Sequence, residues 1–174
     1  MKNYKKIEQN IKIINNDKNY NNNFFNVICK LEGTWVNDNN QVIFWIRFFN
    51  PIILGNRTEL DYELKDLKES DYIFEKILCS AINYNGAIIT GRRHSDCYKS
   101  LKSILEVESY SNINFDLADR EHQGFLTTFN RFVDRKEAYK IAKAQNQIKY
   151  GFDATENGEE SILISENLFN PEIE

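Results

Sequence analysis

Asn85-Gly86 stands between two apolar, β-prone runs, Ile77 to Tyr84 and Ala87 to Thr90. A two-residue hairpin turn needs positive φ at its central positions, and this pair tolerates them better than most. The turn therefore sets antiparallel pairing at the centre of the C-terminal half, and the neighbouring segments are read outward from it. After Gly91-Arg92-Arg93-His94, Ser95 or Asp96 can cap a helix whose apolar side is Cys97, Leu101, Ile104 and Leu105, at helical spacing. A looser stretch, Ser109 to Asp119, leads to a second predicted hairpin, Gly124 to Phe129 and Arg131 to Val133, with Asn130 suited to the left-handed turn position. Asp134-Arg135-Lys136-Glu137 reads as a capping-box-like start to a second helix with Ala138, Ile141, Ala142 and Ile148 on one face. A Gly/Glu-rich loop, Gly151 to Glu160, precedes a predicted last strand, Ile162 to Ile164. The expected class is α+β, an antiparallel sheet with two main helices packed on it and a β-rich N-terminal extension.

The N-terminal part gives weaker signals. Ile7, Ile11 and Ile14 lie at helical spacing and predict a short helix running into the polar stretch Asn15 to Asn23. From Phe24 the residues become β-branched and aromatic. Phe24 to Val36 and Val42 to Phe49, joined by Asn37-Asp38-Asn39-Asn40, predict a hairpin closed by Pro51. Residues 59 to 71 alternate acidic and apolar, which fits an edge strand with one wet face or a loop. The expected division is 1–72 as an extension and 73–170 as the ligand-binding core.

Composition narrows the function. The chain has 174 residues, 41% of them apolar and 13% aromatic, enough to fill a core. It contains no apolar run long enough to span a membrane, and its first residues lead into no signal segment, so the expectation is a cytosolic protein with no membrane partner. Cys29, Cys79 and Cys97 lack metal-ligand spacing and are read as reduced structural residues. A net charge of −4 argues against a nucleic-acid partner, because affinity for a polyanion comes from a basic face. Arg92, Arg93, Lys99 and Lys102 nevertheless cluster against Asp96 alone, a local basic patch that suits a small anion better than a long one.

The arginines gather at two strand-to-helix corners. Gly91-Arg92-Arg93-His94 opens the first helix, where guanidinium forks and backbone N–H groups can meet one phosphate. Arg131, Phe132 and Arg135 repeat the construction at the second. Tyr84 and Tyr98 accompany the first group, and Phe125, Phe129 and Phe132 the second. Arginine with aromatic rings is the composition a nucleotide needs, although solvated charges and core rings would look the same. His94, Asp96, Glu121 and His122 are conceivable as a metal site, but the chain has only two histidines, and no metal or cofactor is expected. Walker A, dinucleotide-binding and Gly-x-Ser-x-Gly signatures are absent from the sequence.

Taken in order, Ile77-Leu78-Cys79-Ser80-Ala81-Ile82, Gly91-Arg92-Arg93-His94-x-Asp96, Gln123-Gly124-Phe125, Arg131-Phe132-Val133-Asp134-Arg135-x-Glu137-Ala138, Ile141-Ala142, Gln147 and Ile164-Ser165-Glu166-x-Leu168 resemble a group of small phage proteins. That group includes the first described anti-Thoeris signal sponges, and the resemblance spans roughly residues 76 to 169. It implies a phage counter-defence protein in the host bacterial cytoplasm that sequesters cyclic ADP-ribose isomers made by TIR-domain enzymes, without cleaving them. It also implies a homodimer or higher homo-oligomer with pockets shared between subunits. Arg92, Arg93, His94, Gln123, Phe125, Arg131, Phe132 and Arg135 are the expected ligand-binding set, with no catalytic residue. Asn130 stands where similar proteins often carry Gly, and the first 70 or so residues lie outside the resemblance. Two other readings stay open: an enzyme hydrolysing such a nucleotide with His94 and Glu121 or His122 as acid and base, and a direct protein inhibitor of a host defence component.

Overall fold

The computed structural model describes residues 4–14, 26–54, 57–65, 67–115, 121–150 and 161–169. They belong to two units, Met1–Glu75 and Lys76–Glu174, each with its own sheet.

In the first unit β1 (Lys5–Ile13), β2 (Ile28–Val36), β3 (Val42–Leu54), β4 (Arg57–Lys65) and β5 (Tyr72–Phe74) form one sheet in the order β4-β3-β2-β1-β5. Every pairing is antiparallel. Alternation along β3 explains its core: Phe44, Ile46 and Phe48 are buried with Ile11, Ile13, Cys29, Leu31, Leu64 and Leu67, while Trp45 and Arg47 take the other side. Each such side chain contributes about 1.5–3 kcal/mol by leaving water.

Two expectations fail here for physical reasons. The predicted N-terminal helix is strand β1, because a spacing of four residues serves one helical turn and two pleats equally. Ile13, fully buried, and Ile14, exposed, decide for the period of two. Secondly, Pro51 does not close the hairpin, since β3 runs on to Leu54. The proline falls in the register shift between Arg47 and Ile52, where its missing N–H breaks no regular ladder. Residues 57–65 form the edge strand β4 with a wet face, of which Asp61 and Glu63 are exposed and Leu64 is buried. Asn15 to Asn23, and Phe24 and Phe25, lie outside the described residues.

In the second unit β6 (Ile77–Tyr84), β7 (Ala87–Gly91), β8 (Gln123–Thr127) and β9 (Phe132–Asp134) run in the order β7-β6-β8-β9, again antiparallel. Asn85 and Gly86 take φ of 49° and 91°, as the hairpin turn requires, and Asn130 takes 59° in the second hairpin. Helix α1 (His94–Ile104) lays Cys97 and Leu101 over Ile82 and Ile113. Helix α2 (Arg135–Ala144) lays Ala138 and Ala142, small enough for close approach, over Ile77, Phe125, Val133 and Leu163. Asp134 caps α2 by accepting from the Glu137 N–H at 2.7 Å.

Three finer readings are corrected. Arg93, not Ser95 or Asp96, occupies the cap position of α1, and Asp96 reaches back from the third helical position to accept from the Arg93 N–H at 3.0 Å. Ile104 is 64% exposed, because the helix ends there and turns its last apolar residue outward. Ile162–Ile164 makes no strand; Leu163 is instead tied by its N–H to the Arg135 carbonyl at 2.9 Å and followed by a 3-10 turn, Ser165–Asn167. Gly151 to Glu160 and residues 116–119 lie outside the described residues. No helix among the described residues is long and apolar enough to cross a membrane. The three cysteines are free, and burial pushes the Cys29 and Cys97 thiols up to about 12.

A polar seam between the two helices

Gly91 lets β7 turn sharply into α1. A Cβ at that position would fall 2.8 Å from the Cys97 nitrogen, so only glycine allows the helix to start so close to the strand end. The Ser80 hydroxyl, fully buried on β6, donates to the Arg92 carbonyl at 3.1 Å and fixes the corner from below. His94, first residue of α1, is thereby turned inward. It is 7% exposed, and its Nε2 lies 2.9 Å from the Gly124 carbonyl. A carbonyl only accepts, so Nε2 carries the proton. The ring meets Phe125 edge-on at 5.1 Å. Burial first, and the Arg135 charge second, push its pKa down to about 4.

Gln123 pairs with Ile82 across β6 and β8 on the helix-bearing face, in the gap between the apolar clusters under α1 and α2. Its Oε1 accepts from Arg135 Nη2 at 2.6 Å, and its Nε2 donates to the Tyr98 hydroxyl at 2.8 Å. A guanidinium has only donors, so the amide orientation is fixed. The Tyr98 hydroxyl, already accepting, gives its own proton to His122 Nε2. His122 is then the Nδ1–H tautomer, and that Nδ1 is buried without a hydrogen-bond partner among the described residues. Its ring is 5% exposed and stacked on Phe115 at 3.8 Å and 18°. Burial and then the Arg135 charge lower its pKa as well. Both imidazoles are neutral at pH 7, and Arg135 brings a guanidinium to the seam, with the Glu166 carboxylate near enough to act on His94 in the opposite sense.

The structure thus brings together four of the expected residues, His94, Gln123, Phe125 and Arg135. Arg92 and Arg93 stand at the corner that leads into α1, with Arg92 exposed and its guanidinium carbon 5.5 Å above the Phe169 ring. Arg131 turns to Glu137, Nη2 to Oε1 2.7 Å. Phe132 lies over Gly124, whose added Cβ would meet its ring at 2.6 Å, on the face away from Val133 and the helices. A cavity of about 320 Å³ in this unit is lined by residues including Lys76, Gln145, Lys149, Leu168 and Phe169, and by none of the arginines among the described residues. Gln147 is structural, clamping the Ile77 N–H and carbonyl at 2.8 Å each.

The sequence marks Tyr98 only as a neighbouring ring and His122 as a metal candidate or an acid/base group of the hydrolase reading, and gives no sign of Phe115. A usable signal existed for Tyr98, which follows His94 by four residues and so shares its helix side. Among the described residues no group of three or more His, Cys, Asp or Glu side chains is placed to hold a metal ion.

Such a seam offers donors and a positive field to a ligand rich in acceptors. Arg135 stands at the first position of α2, and Arg92 and Arg93 lead into α1, whose first turn also holds the Asp96 carboxylate. A family model described as phage T4 y16D protein matches residues 76–169, which cover the elements just described. No curated protein and no solved structure matches the chain.

Proposed function

We propose, from the premise that this chain belongs to the phage T4 y16D protein family, that its second unit captures a cyclic ADP-ribose-type signal and holds it uncleaved. A phage protein acting so in the host cytoplasm would keep a TIR-derived messenger from its effector. The observation that carries the reading is the donor set around Arg135. Arg135 brings a guanidinium to the first turn of α2 beside Gln123, and the His122 Nδ1–H, buried with no hydrogen-bond partner among the described residues, is costly to hold. An anion with further acceptors that opened this seam would relieve that cost.

Nanomolar capture asks for about −12 kcal/mol. Charge-assisted hydrogen bonds give about 1.5–3 kcal/mol each, and an adenine stacked on an aromatic ring about 1–3 kcal/mol. Binding without turnover agrees with two imidazoles that are neutral at pH 7 and already engaged through Nε2, His94 with Gly124 and His122 with Tyr98. Self-association belongs to the same proposal: Leu78 and Ile88 on the sheet are 56% and 39% exposed, and a second copy would enclose more of a small ligand.

The test is to mix protein with the nucleotide, isolate the protein by gel filtration, heat it and assay what is released. Intact nucleotide supports capture, an altered product supports the hydrolase, and no retention leaves a direct protein inhibitor. Arg92→Ala, at an exposed position, should weaken retention more than about tenfold with little change in Tm. Unaltered affinity in Arg92→Ala and Arg135→Ala alike would remove the site.

A further inference from the structure

The Trp45 face of the first unit's sheet carries a second, chemically different hollow. Tyr4, Trp35, Trp45 and Glu63 line a cavity of about 270 Å³. Strand register assembles it: Gly33 of β2 lies opposite Trp45 of β3, and Trp45 lies opposite Glu63 of β4, so the three share one face. Trp35, two residues beyond Gly33, joins them. The two indoles meet at 88° with centroids 6.5 Å apart and form a right-angled corner. Tyr4 makes a further wall, its ring lying directly on Gly33, where an added Cβ would fall 2.5 Å from the tyrosine oxygen. The Tyr4 hydroxyl donates to the Glu32 carbonyl at 3.3 Å, which holds the ring over the glycine.

Glu63 supplies the charge. The neighbouring carboxylates on this sheet are paired, Glu8 with Lys6 and Lys30, Glu32 with Lys30 and Arg47, and Asp61 with Arg47. Glu63, among the described residues, has no such ion pair. Aromatic faces attract a cation through their quadrupole, and the carboxylate adds a full negative charge. A bare ammonium brings three N–H donors and a guanidinium five, more than one carboxylate satisfies in a hollow otherwise walled by rings. A trimethylammonium group brings a positive charge, an apolar surface and no donor.

We propose that Tyr4, Trp35, Trp45 and Glu63 form a binding site for a small trimethylammonium compound. The site lies outside residues 76–169 and is independent of the nucleotide reading. Trp35 and Trp45 are the chain's two tryptophans, so indole fluorescence of the full-length protein reports on this hollow alone. Choline and its neutral isostere 3,3-dimethylbutan-1-ol are titrated in parallel. Choline is expected to change the emission saturably and to bind at least about tenfold more tightly than the alcohol, and Glu63→Gln, at an exposed position, to weaken choline about fivefold. Equal affinity for choline and the alcohol, a response without saturation, or a Glu63→Gln protein that binds choline as well as the parent overturns the proposal.

Discussion

At the scale of single residues, His94 makes stability depend on pH in a defined direction. Its pKa is 6.5 when free and about 4 when folded, so between those values the unfolded chain binds the extra proton. The stabilisation is complete above 6.5 and is lost as pH falls toward 4, a difference worth about 3 kcal/mol. Denaturant unfolding at pH 7 and pH 4.5 should show a larger loss in the parent than in His94→Gln, whose amide can still donate toward Gly124. Equal losses would mean that the ring is not held neutral. Tyr98 gives a second check. Tyr98→Phe deletes the hydroxyl between Gln123 and His122 and leaves the part-buried Gln123 amide and the buried His122 ring each without that partner, at a cost of about 1–2 kcal/mol by the same measurement. A Tyr98→Phe protein as stable as the parent would show that the seam does not contribute to folding.

Among the elements, the β7–α1 corner and strand β8 depend on glycine for space rather than for backbone freedom. A Cβ at Gly124 would fall 2.2 Å from the Val133 carbonyl oxygen, which is backbone and cannot swing aside. Gly124→Ala should therefore cost about 3 kcal/mol or more and separate β8 from β9, seen as a fall in Tm, whereas Gly86→Ala meets no atom within 4 Å and suffers only from its φ of 91°. A Gly124→Ala Tm equal to the parent's would refute this close approach. The same contrast explains what was legible in the sequence. Asn85-Gly86, Asn130 and the Asp134 cap are local signals with local causes, and each marks its element correctly. Strand β1 was misread because Glu8, at φ 53°, sits in a bulge that disturbs the alternation, and because Ile7 and Ile11 fit either period. The seam is half legible: His94 and Arg135 stand at helix starts, but Tyr98 meets His122 across a separation of 24 residues in the chain. Nothing in the local sequence encodes that distance.

On the scale of the whole molecule, each unit closes its own apolar core, Ile11 to Leu67 in one and Ile77 to Leu163 in the other. A fragment beginning at Lys76 should consequently fold and retain the nucleotide as the full chain does, checked by circular dichroism and the retention assay; an unfolded fragment would tie the second core to the first. Gel filtration of the full chain should show at least a dimer, and a monomer at micromolar concentration would remove the shared pocket from the proposal. The cysteines have a consequence of a practical kind. Cys29 and Cys97 are shielded, with thiols near 12, whereas Cys79 is half-buried on β6. Burial raises the Cys79 thiol too and slows its attack, but as the most accessible of the three it should be the first to take a maleimide dye on the native chain. Natural sequence thus supplies a ready attachment point on the sheet, and energy transfer between copies could follow assembly without engineering a cysteine.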